Sequence, residues 1–105
     1  MINAKEEFLA HIHGKESVAC AVIRDYDAGW DDEEGKQIFL PMNYNRQQYD
    51  AFIAQLDFEY YAGYGGQEVY GVIWYEDGTW SERGEYDGSE WWEYKKSPVI
   101  PKELK

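Results

Sequence analysis

Two segments of the chain have apolar residues at the spacing of an amphipathic helix. They span residues 3–13 and about 45–57. Their apolar stripes are Phe8, Leu9 and Ile12 in the first segment and Tyr49, Phe52, Ile53 and Leu56 in the second. The side chain of Asn3 can cap the first helix, and Gly14 can end it. The pattern therefore predicts two helices in the first 57 residues.

Between these helices the pattern changes to short β-prone runs. Residues 17–24 include consecutive apolar positions, which is typical of a strand with a neighbour on each side. Residues 38–40 form a second short run, and Pro41 stops its pairing or places it at a sheet edge. The acidic stretch 25–36 between the two runs is predicted to be a loop.

The last third of the chain contains aromatic-rich runs separated by two Asp-Gly pairs, at residues 77–78 and 87–88. Such a pair is a strong signal for a two-residue β-hairpin turn. Two such turns fold residues 69–95 into a three-stranded antiparallel meander. The element order is then α-β-β-α-β-β-β, which predicts a single α+β domain over residues 1–105. Its two layers are a mostly antiparallel sheet of about five strands and two helices on one face.

The assumed two-residue turns assign each side chain of the meander to a face of the sheet. On one face, Trp91 lies beside Gly71 and Gly84, whose missing side chains leave room for an indole. This face is predicted to pack against the helices. The other face contains Trp74 and Trp92, and two helices cannot cover both sides. Aromatic rings are therefore predicted to remain partly exposed there.

The same register predicts the cross-strand partners. They include Tyr75 with Trp80, Glu82 with Glu93, and Glu85 with Glu90. Two of these pairs bring like charges together, which destabilises a sheet unless a cation neutralises them. Lys95 and Arg83 are the nearby candidates. A cationic partner that relieves the repulsion is the alternative.

The formal charge of the chain is −11, and it is unevenly distributed. Residues 47–94 contain 11 acidic residues and only Arg83 as a base, whereas residues 95–105 contain four lysines and one glutamate. Direct binding to nucleic acid or to an anionic membrane needs positive charge and is disfavoured. Aromatic residues make up 18% of the chain, which excludes a disordered polyanion. The single cysteine, Cys20, and the absence of a signal-like or membrane-spanning run predict a cytoplasmic protein.

Patterns that carry catalysis or metal binding are weak in this sequence. The acidic stretch 25–35 does not match a calcium loop of the EF-hand type, because Gly29 and Trp30 occupy its fifth and sixth positions. A looser cation site in this stretch remains an alternative. His11 and His13 are two residues apart and cannot chelate one metal as an i, i+4 pair does. We therefore predict no enzymatic activity and no cofactor.

The run DGTWSERGEYDGSEWWEY, from Asp77 to Tyr94, resembles the C-terminal halves of small acidic phage and prophage proteins of unknown function. The run covers part of the C-terminal third of the chain. The resemblance implies no catalytic or binding residue. It does imply a phage or prophage accessory protein that acts in the bacterial cytoplasm.

Charge and aromatic content together predict a non-catalytic acidic binding protein that engages a basic site on a partner protein. A nucleic-acid-binding host protein is the natural target, since its groove accommodates polyanions and a DNA mimic can block it. The predicted acidic contacts are Asp31, Asp32, Glu33, Glu34, Glu82, Glu85, Glu90 and Glu93, and the aromatic anchors are Trp74 and Trp92. The alternative is a homodimeric structural or regulatory domain that closes on its aromatic face.

Overall fold

A computed structural model describes residues 1–26, 36–62 and 66–105. It contains the helices α1 (Ala4–Ile12) and α2 (Arg46–Gln55). The strands are β1 (Ile2–Asn3), β2 (Val18–Asp25), β3 (Lys36–Leu40), β4 (Glu59–Tyr60), β5 (Val69–Tyr75), β6 (Trp80–Tyr86) and β7 (Ser89–Lys95). A short 3₁₀ turn, Lys102–Leu104, lies near the C-terminus.

Five of the strands form one antiparallel sheet in the order β3-β2-β5-β6-β7. The predicted α+β architecture is therefore confirmed. β2 lies between two neighbours, as its run of apolar residues predicts, and β3 is an edge strand. The pair formed by β1 and β4 has only two residues per strand and was not predicted. Phe8 of α1 and Phe52 of α2 meet edge to face, with ring centroids 5.4 Å apart, beside the sheet.

Side-chain caps define the ends of both helices. The Asn3 side chain accepts a hydrogen bond from the Glu6 N–H at 3.0 Å. Gly14, with φ +79°, follows the end of α1 in the left-handed conformation that glycine adopts without strain. Asn45 and Gln48 form a reciprocal capping box at the start of α2. One predicted core residue of α1 is wrong, because Leu9 is 38% exposed.

The hydrophobic core lies between the helices and the inner side of the sheet. It contains side chains from both helices and from β2, β3, β4 and β5. The fully buried apolar residues are Phe8, Ile23, Ile38, Leu40, Phe52, Leu56, Tyr60, Val69 and Ile73. Burial of each large aliphatic or phenylalanine side chain contributes about 1.5–3 kcal/mol to folding. This layer gives the outer side of the sheet a stable support.

The second hairpin has the predicted turn and register. Asp87 and Gly88 both have left-handed backbone conformations, with φ +52° and +86°, as a two-residue type I′ turn requires. Every predicted pair of β6 and β7 is present, from Ser81 with Tyr94 to Glu85 with Glu90. The Asp-Gly signal is therefore confirmed at this turn.

The first hairpin has a three-residue loop, so its predicted register is wrong by one position. Trp80 pairs with Trp74 and not with Tyr75. The Tyr75 N–H donates to the Thr79 carbonyl at 2.9 Å, and Gly78 alone in this loop has a positive φ, +88°. The Asp77 carboxylate accepts from the Thr79 N–H at 3.0 Å and supports this longer turn. Three-residue loops that end in a left-handed glycine are a common alternative to type I′ turns.

A one-residue shift moves side chains to the opposite face, because strand side chains alternate with period two. Trp92 therefore lies under the helices and is only 9% exposed, whereas Trp91 lies on the outer side and is 37% exposed. The sequence predicted the reverse. Trp91 does cover Gly84, as predicted, since a Cβ built there would be 2.7 Å from its Nε1. Gly71 instead adjoins Trp92, whose ring lies 3.1 Å from the corresponding Cβ position.

Candidate functional site

The outer side of the five-stranded sheet carries a row of exposed aromatic side chains, and it is termed the open face. Its residues are Phe39 from β3, Cys20, Val22 and Arg24 from β2, Tyr70, Val72 and Trp74 from β5, Trp80, Glu82 and Gly84 from β6, and Trp91, Glu93 and Lys95 from β7. Phe39 is 60% exposed, Tyr70 43% and Trp74 42%. None of the described segments covers these rings.

Alternation along β5 explains why this strand contributes to both sides of the sheet. Val69, Ile73 and Tyr75 are buried toward the helices, while Tyr70 and Trp74 are exposed on the open face. The Tyr70 ring also packs edge-on against Tyr26, with centroids 5.0 Å apart. The exposure of Trp74 agrees with the sequence prediction, because the register error begins only after β5.

The two glutamates in the middle of β6 and β7 are partly neutralised within the chain. Glu82 and Glu93 are cross-strand partners, and the Lys95 Nζ lies 3.8 Å from a carboxylate oxygen of each. The Trp80 indole N–H also donates to Glu82 at 2.7 Å, and the Trp91 indole N–H donates to Glu93 at 2.9 Å. The predicted neutralisation by Lys95 is confirmed, and these carboxylates are less available to a partner than the sequence suggests.

Glu90 lies inside the protein, so its predicted place on an acidic surface is wrong. Its side chain is 0% exposed, and its carboxylate accepts from the Glu68 N–H at 2.8 Å and the Val69 N–H at 3.0 Å. β5 and β6 pair only through residues 72–74 and 80–82. Glu90 therefore takes the place of the missing strand partner at the start of β5.

Arg83 neutralises Glu90 and links four elements of the fold. Its Nη2 lies 2.9 Å from a Glu90 oxygen and donates at 2.9 Å to the Tyr60 hydroxyl, while its Nη1 lies 2.9 Å from Glu7. The guanidinium is also 5.0 Å from the Trp92 ring centroid. Burial alone would lower the pKa of Arg83, but Glu7 and the other partners outweigh it and raise the pKa. The cluster is a structural support, since its guanidinium is already enclosed by these partners.

Trp92 is also unavailable as the predicted surface anchor. Its ring meets Phe8 edge to face at 6.4 Å and stacks on His11 at 6.1 Å between centroids. The His11 Nε2 is hydrogen-bonded to the Ser81 Oγ at 2.7 Å, and Ser81 is also bonded to the Tyr75 hydroxyl. Ser81 is 0% exposed, so this serine–histidine contact is out of reach of a substrate. It joins α1 to the sheet.

Besides Glu82 and Glu93, the meander has exposed carboxylates at its two turns. Glu76 and Asp77 lie in the first turn, Asp87 lies in the second, and Glu85 is close to the second. Hydrogen bonds to Thr79 lower the pKa of Asp77, which keeps it charged. The Glu85 side chain, one of the predicted contacts, is exposed and accepts from the Gly88 N–H at 2.8 Å. Sequence reasoning missed Glu76 and Asp77, although acids next to a turn glycine are a direct signal of exposure.

The remaining predicted contacts are the acidic residues Asp31, Asp32, Glu33 and Glu34, which lie outside the described residues. Within residues 1–26, 36–62 and 66–105, no group of three or more His, Cys, Asp or Glu side chains is placed to hold a metal ion. Neither described helix has the length and hydropathy needed to cross a bilayer. No protein-family model matches the chain, and searches of curated proteins and of solved structures return no match.

Proposed function

We propose that this chain is a non-catalytic acidic binding protein whose open face engages a basic protein partner. The proposal rests on one observation, the set of exposed aromatic rings on the open face. Phe39, Tyr70, Trp74 and Trp91 all present ring surface to solvent there. Aromatic residues are enriched at the centres of protein interfaces, where they provide most of the binding energy.

The charge of the chain supports a basic partner. The open face itself is balanced, since it carries two acidic residues, Glu82 and Glu93, and two basic residues, Arg24 and Lys95. The surplus of the total charge of −11 lies elsewhere, including the exposed acids at both hairpin turns. An aromatic centre with an acidic rim is suited to a partner whose apolar contact patch is surrounded by lysine or arginine. The long-range field would accelerate their encounter.

A nucleic-acid-binding protein of a bacterial host fits this partner chemistry, because such a protein has a basic groove. The resemblance of residues 77–94 to small phage and prophage proteins supports the same setting, an accessory factor in bacterial cytoplasm. Imitation of DNA would rely on the turn carboxylates such as Glu85 and Asp87. Glu90 is buried and Glu82 and Glu93 share Lys95, so they contribute less to it.

The test is a binding measurement with defined variants of the open face. Partners are captured from bacterial lysate at low salt, and each purified partner is then titrated with the wild-type chain. We expect Phe39→Ala and Trp91→Ala each to weaken binding about tenfold, as loss of an interface anchor does. Leu9→Ala is the matched control, since Leu9 is an exposed apolar residue of α1. Binding should also weaken with salt and compete with duplex DNA. Equal affinity for all three variants would refute the proposal.

A homodimer that closes on the open face is the second candidate, and the same exposed rings favour it. Light scattering over a range of concentrations separates the two. A monomer that binds a basic protein supports the first function. A dimer insensitive to salt, in which dimerisation shifts the NMR signal of the Trp91 indole N–H, supports the second and contradicts the first.

A further inference from the structure

A pocket of about 540 Å³ lies at one end of the open face, between the loop after β3 and the first hairpin turn. Its lining includes Trp74 from β5 and Met42 and Tyr44 from that loop. Trp74 is 42% exposed and Met42 62%. Both therefore present apolar surface to a ligand that enters from solvent.

Hydrogen bonds hold the backbone around this pocket. β2 shifts register after Val18 and bulges beside Trp74, which interrupts the flat surface of the sheet. The Tyr44 hydroxyl donates to the Val18 carbonyl at 2.7 Å, and the Glu76 N–H donates to the Ser17 carbonyl at 2.9 Å. The walls are thus largely formed before a ligand arrives, which lowers the entropic cost of binding.

Glu76 carries the only charge among the described residues that line the pocket. Its side chain is exposed and forms no salt bridge with any described residue. Burial first, then Tyr49 and Glu76, raise the pKa of the Tyr44 hydroxyl, so the carboxylate acts on a group inside the pocket. The pocket therefore combines aromatic and thioether surface with one carboxylate that has no counter-ion among the residues that the structure describes.

We propose that this pocket receives a cationic side chain of the partner, with arginine preferred over lysine. The inference rests on the proposed function, in which a basic protein supplies that side chain. A guanidinium can lie on the Trp74 indole and bond to the Glu76 carboxylate at the same time. Its aliphatic stem would pack on Met42. Lysine has a compact, more strongly hydrated charge and cannot stack in this way.

The test uses the full chain and N-acetyl-arginine methylamide as the probe. The citrulline analogue is the matched control, because it has nearly the same shape but is uncharged and has a carbonyl oxygen in place of one guanidinium nitrogen. The Trp74 indole N–H is followed by NMR during each titration. We expect saturable, millimolar binding of the arginine probe, weaker binding of the lysine analogue and no saturation with citrulline. Equal binding of arginine and citrulline would overturn the inference.

Variants locate the binding to the pocket. Glu76→Gln should weaken arginine binding roughly threefold, as loss of one exposed charge pair does, and Trp74→Leu should abolish it. Glu103→Gln and Trp91→Leu are the controls, since neither side chain lines the pocket, and both should bind as the wild type does. Unchanged affinity of Glu76→Gln would also overturn the inference. If that variant fails to fold, the comparison of arginine with citrulline on the wild-type chain still tests whether the pocket prefers the charged side chain.

This inference and the proposed function can fail separately. If the arginine probe does not bind but Phe39→Ala still weakens a partner complex, the pocket assignment is wrong and the open-face function stands. If the probe binds and no basic partner is found, the function fails while the pocket remains a cation site. A Trp74 signal that shifts with protein concentration alone would mean that a second copy of the chain covers the pocket, and would overturn the assignment to a partner.

Discussion

Arg83 of β6 and Glu90 of β7 form an ion pair in the interior of the protein, with 2.9 Å between Nη2 and Oε1. Their side chains are only 1% and 0% exposed. They are not direct cross-strand partners, since Arg83 lies opposite Trp92 and Glu90 opposite Glu85. Both project toward the helices, where Glu90 also binds two backbone N–H groups. The meander is therefore attached to the rest of the fold by charge as well as by apolar packing.

Glu90→Gln should destabilise the fold by about 3 kcal/mol, because it leaves a buried guanidinium with one fewer counter-charge and weakens the acceptor of two backbone N–H groups. Urea unfolding measures this loss. Glu85→Gln is the matched control, an exposed glutamate opposite Glu90, and should change stability by no more than about 0.5 kcal/mol. A similar small effect for both variants would show that the ion pair is not important for stability.

The free energy of unfolding should decrease as the pH is lowered, over a pH range set by the pKa of His11. Its pKa is lowered from 6.5 to about 4, first by burial and then by Lys15 and Arg83. Between these values the unfolded chain binds a proton that the folded chain does not, so the stabilisation present above pH 6.5 is lost as the pH falls to about 4. His11→Gln should remove this part of the pH dependence, measured as the difference from wild type in urea unfolding.

The control for this experiment is His13→Gln, at an exposed position, which should retain the wild-type dependence on pH in that window. The expectation fails if His11→Gln and the wild-type chain lose stability in parallel between pH 6.5 and about 4. Direct titration of the His11 ring by NMR gives an independent measurement of the same pKa.

Substitution of alanine for Gly71 and for Gly84 should destabilise the fold by different amounts. A Cβ at Gly71 would be 2.7 Å from the Val22 carbonyl oxygen, which is backbone and cannot move freely. A Cβ at Gly84 would be 2.7 Å from the indole of Trp91, which is half-exposed and can move away. We expect losses of about 3 kcal/mol for Gly71→Ala and about 1 kcal/mol for Gly84→Ala in urea unfolding. Only Gly84→Ala should shift the NMR signal of the Trp91 indole N–H. The opposite order would contradict this geometry.

Lys95→Gln should expose the repulsion between Glu82 and Glu93. Because all three side chains are more than 40% exposed, we expect a loss of only about 0.5 kcal/mol at low salt. High salt should reduce it, since screening weakens exposed charge interactions. Adding Glu93→Gln should restore stability, and Lys96→Gln serves as the control. A loss that does not depend on salt would indicate packing and not charge.

Local signals in the sequence predict much of this fold. The cap at Asn3, the apolar stripe of α2 and the turn at residues 87–88 all depend on nearby residues, and all are present. The turn at residues 77–78 has the same Asp-Gly signal but a loop one residue longer. Asp-Gly is compatible with both lengths, and the choice depends on the bonds of Asp77 to Thr79, which a turn signal does not encode.

The same difference between nearby and distant signals applies to the residues of the candidate site. The exposure of Trp74 is correctly predicted because β5 precedes the misjudged turn, whereas the positions of Trp91 and Trp92 are exchanged because they follow it. Glu90 was placed on the surface because its partners, the N–H groups of Glu68 and Val69, are more than 20 residues away in the chain. No periodic pattern reports such a distant contact. The sequence predicts the exposed aromatic character of the sheet and the exposure of Trp74, but it assigns the second exposed indole to Trp92 and not to Trp91.

The length of the first turn decides which half of the meander meets water. A turn closed by residues 77–78 alone would pair Glu76 with Thr79 and advance β6 and β7 by one position against β5. Arg83 and Trp92 would then turn outward, and Trp91 with Glu93 would point at α1. Two of the five strands would thus exchange their inner and outer sides. The same residues of β6 and β7 could therefore form either the core or the surface, and the choice of closing pair at this turn selects between the two.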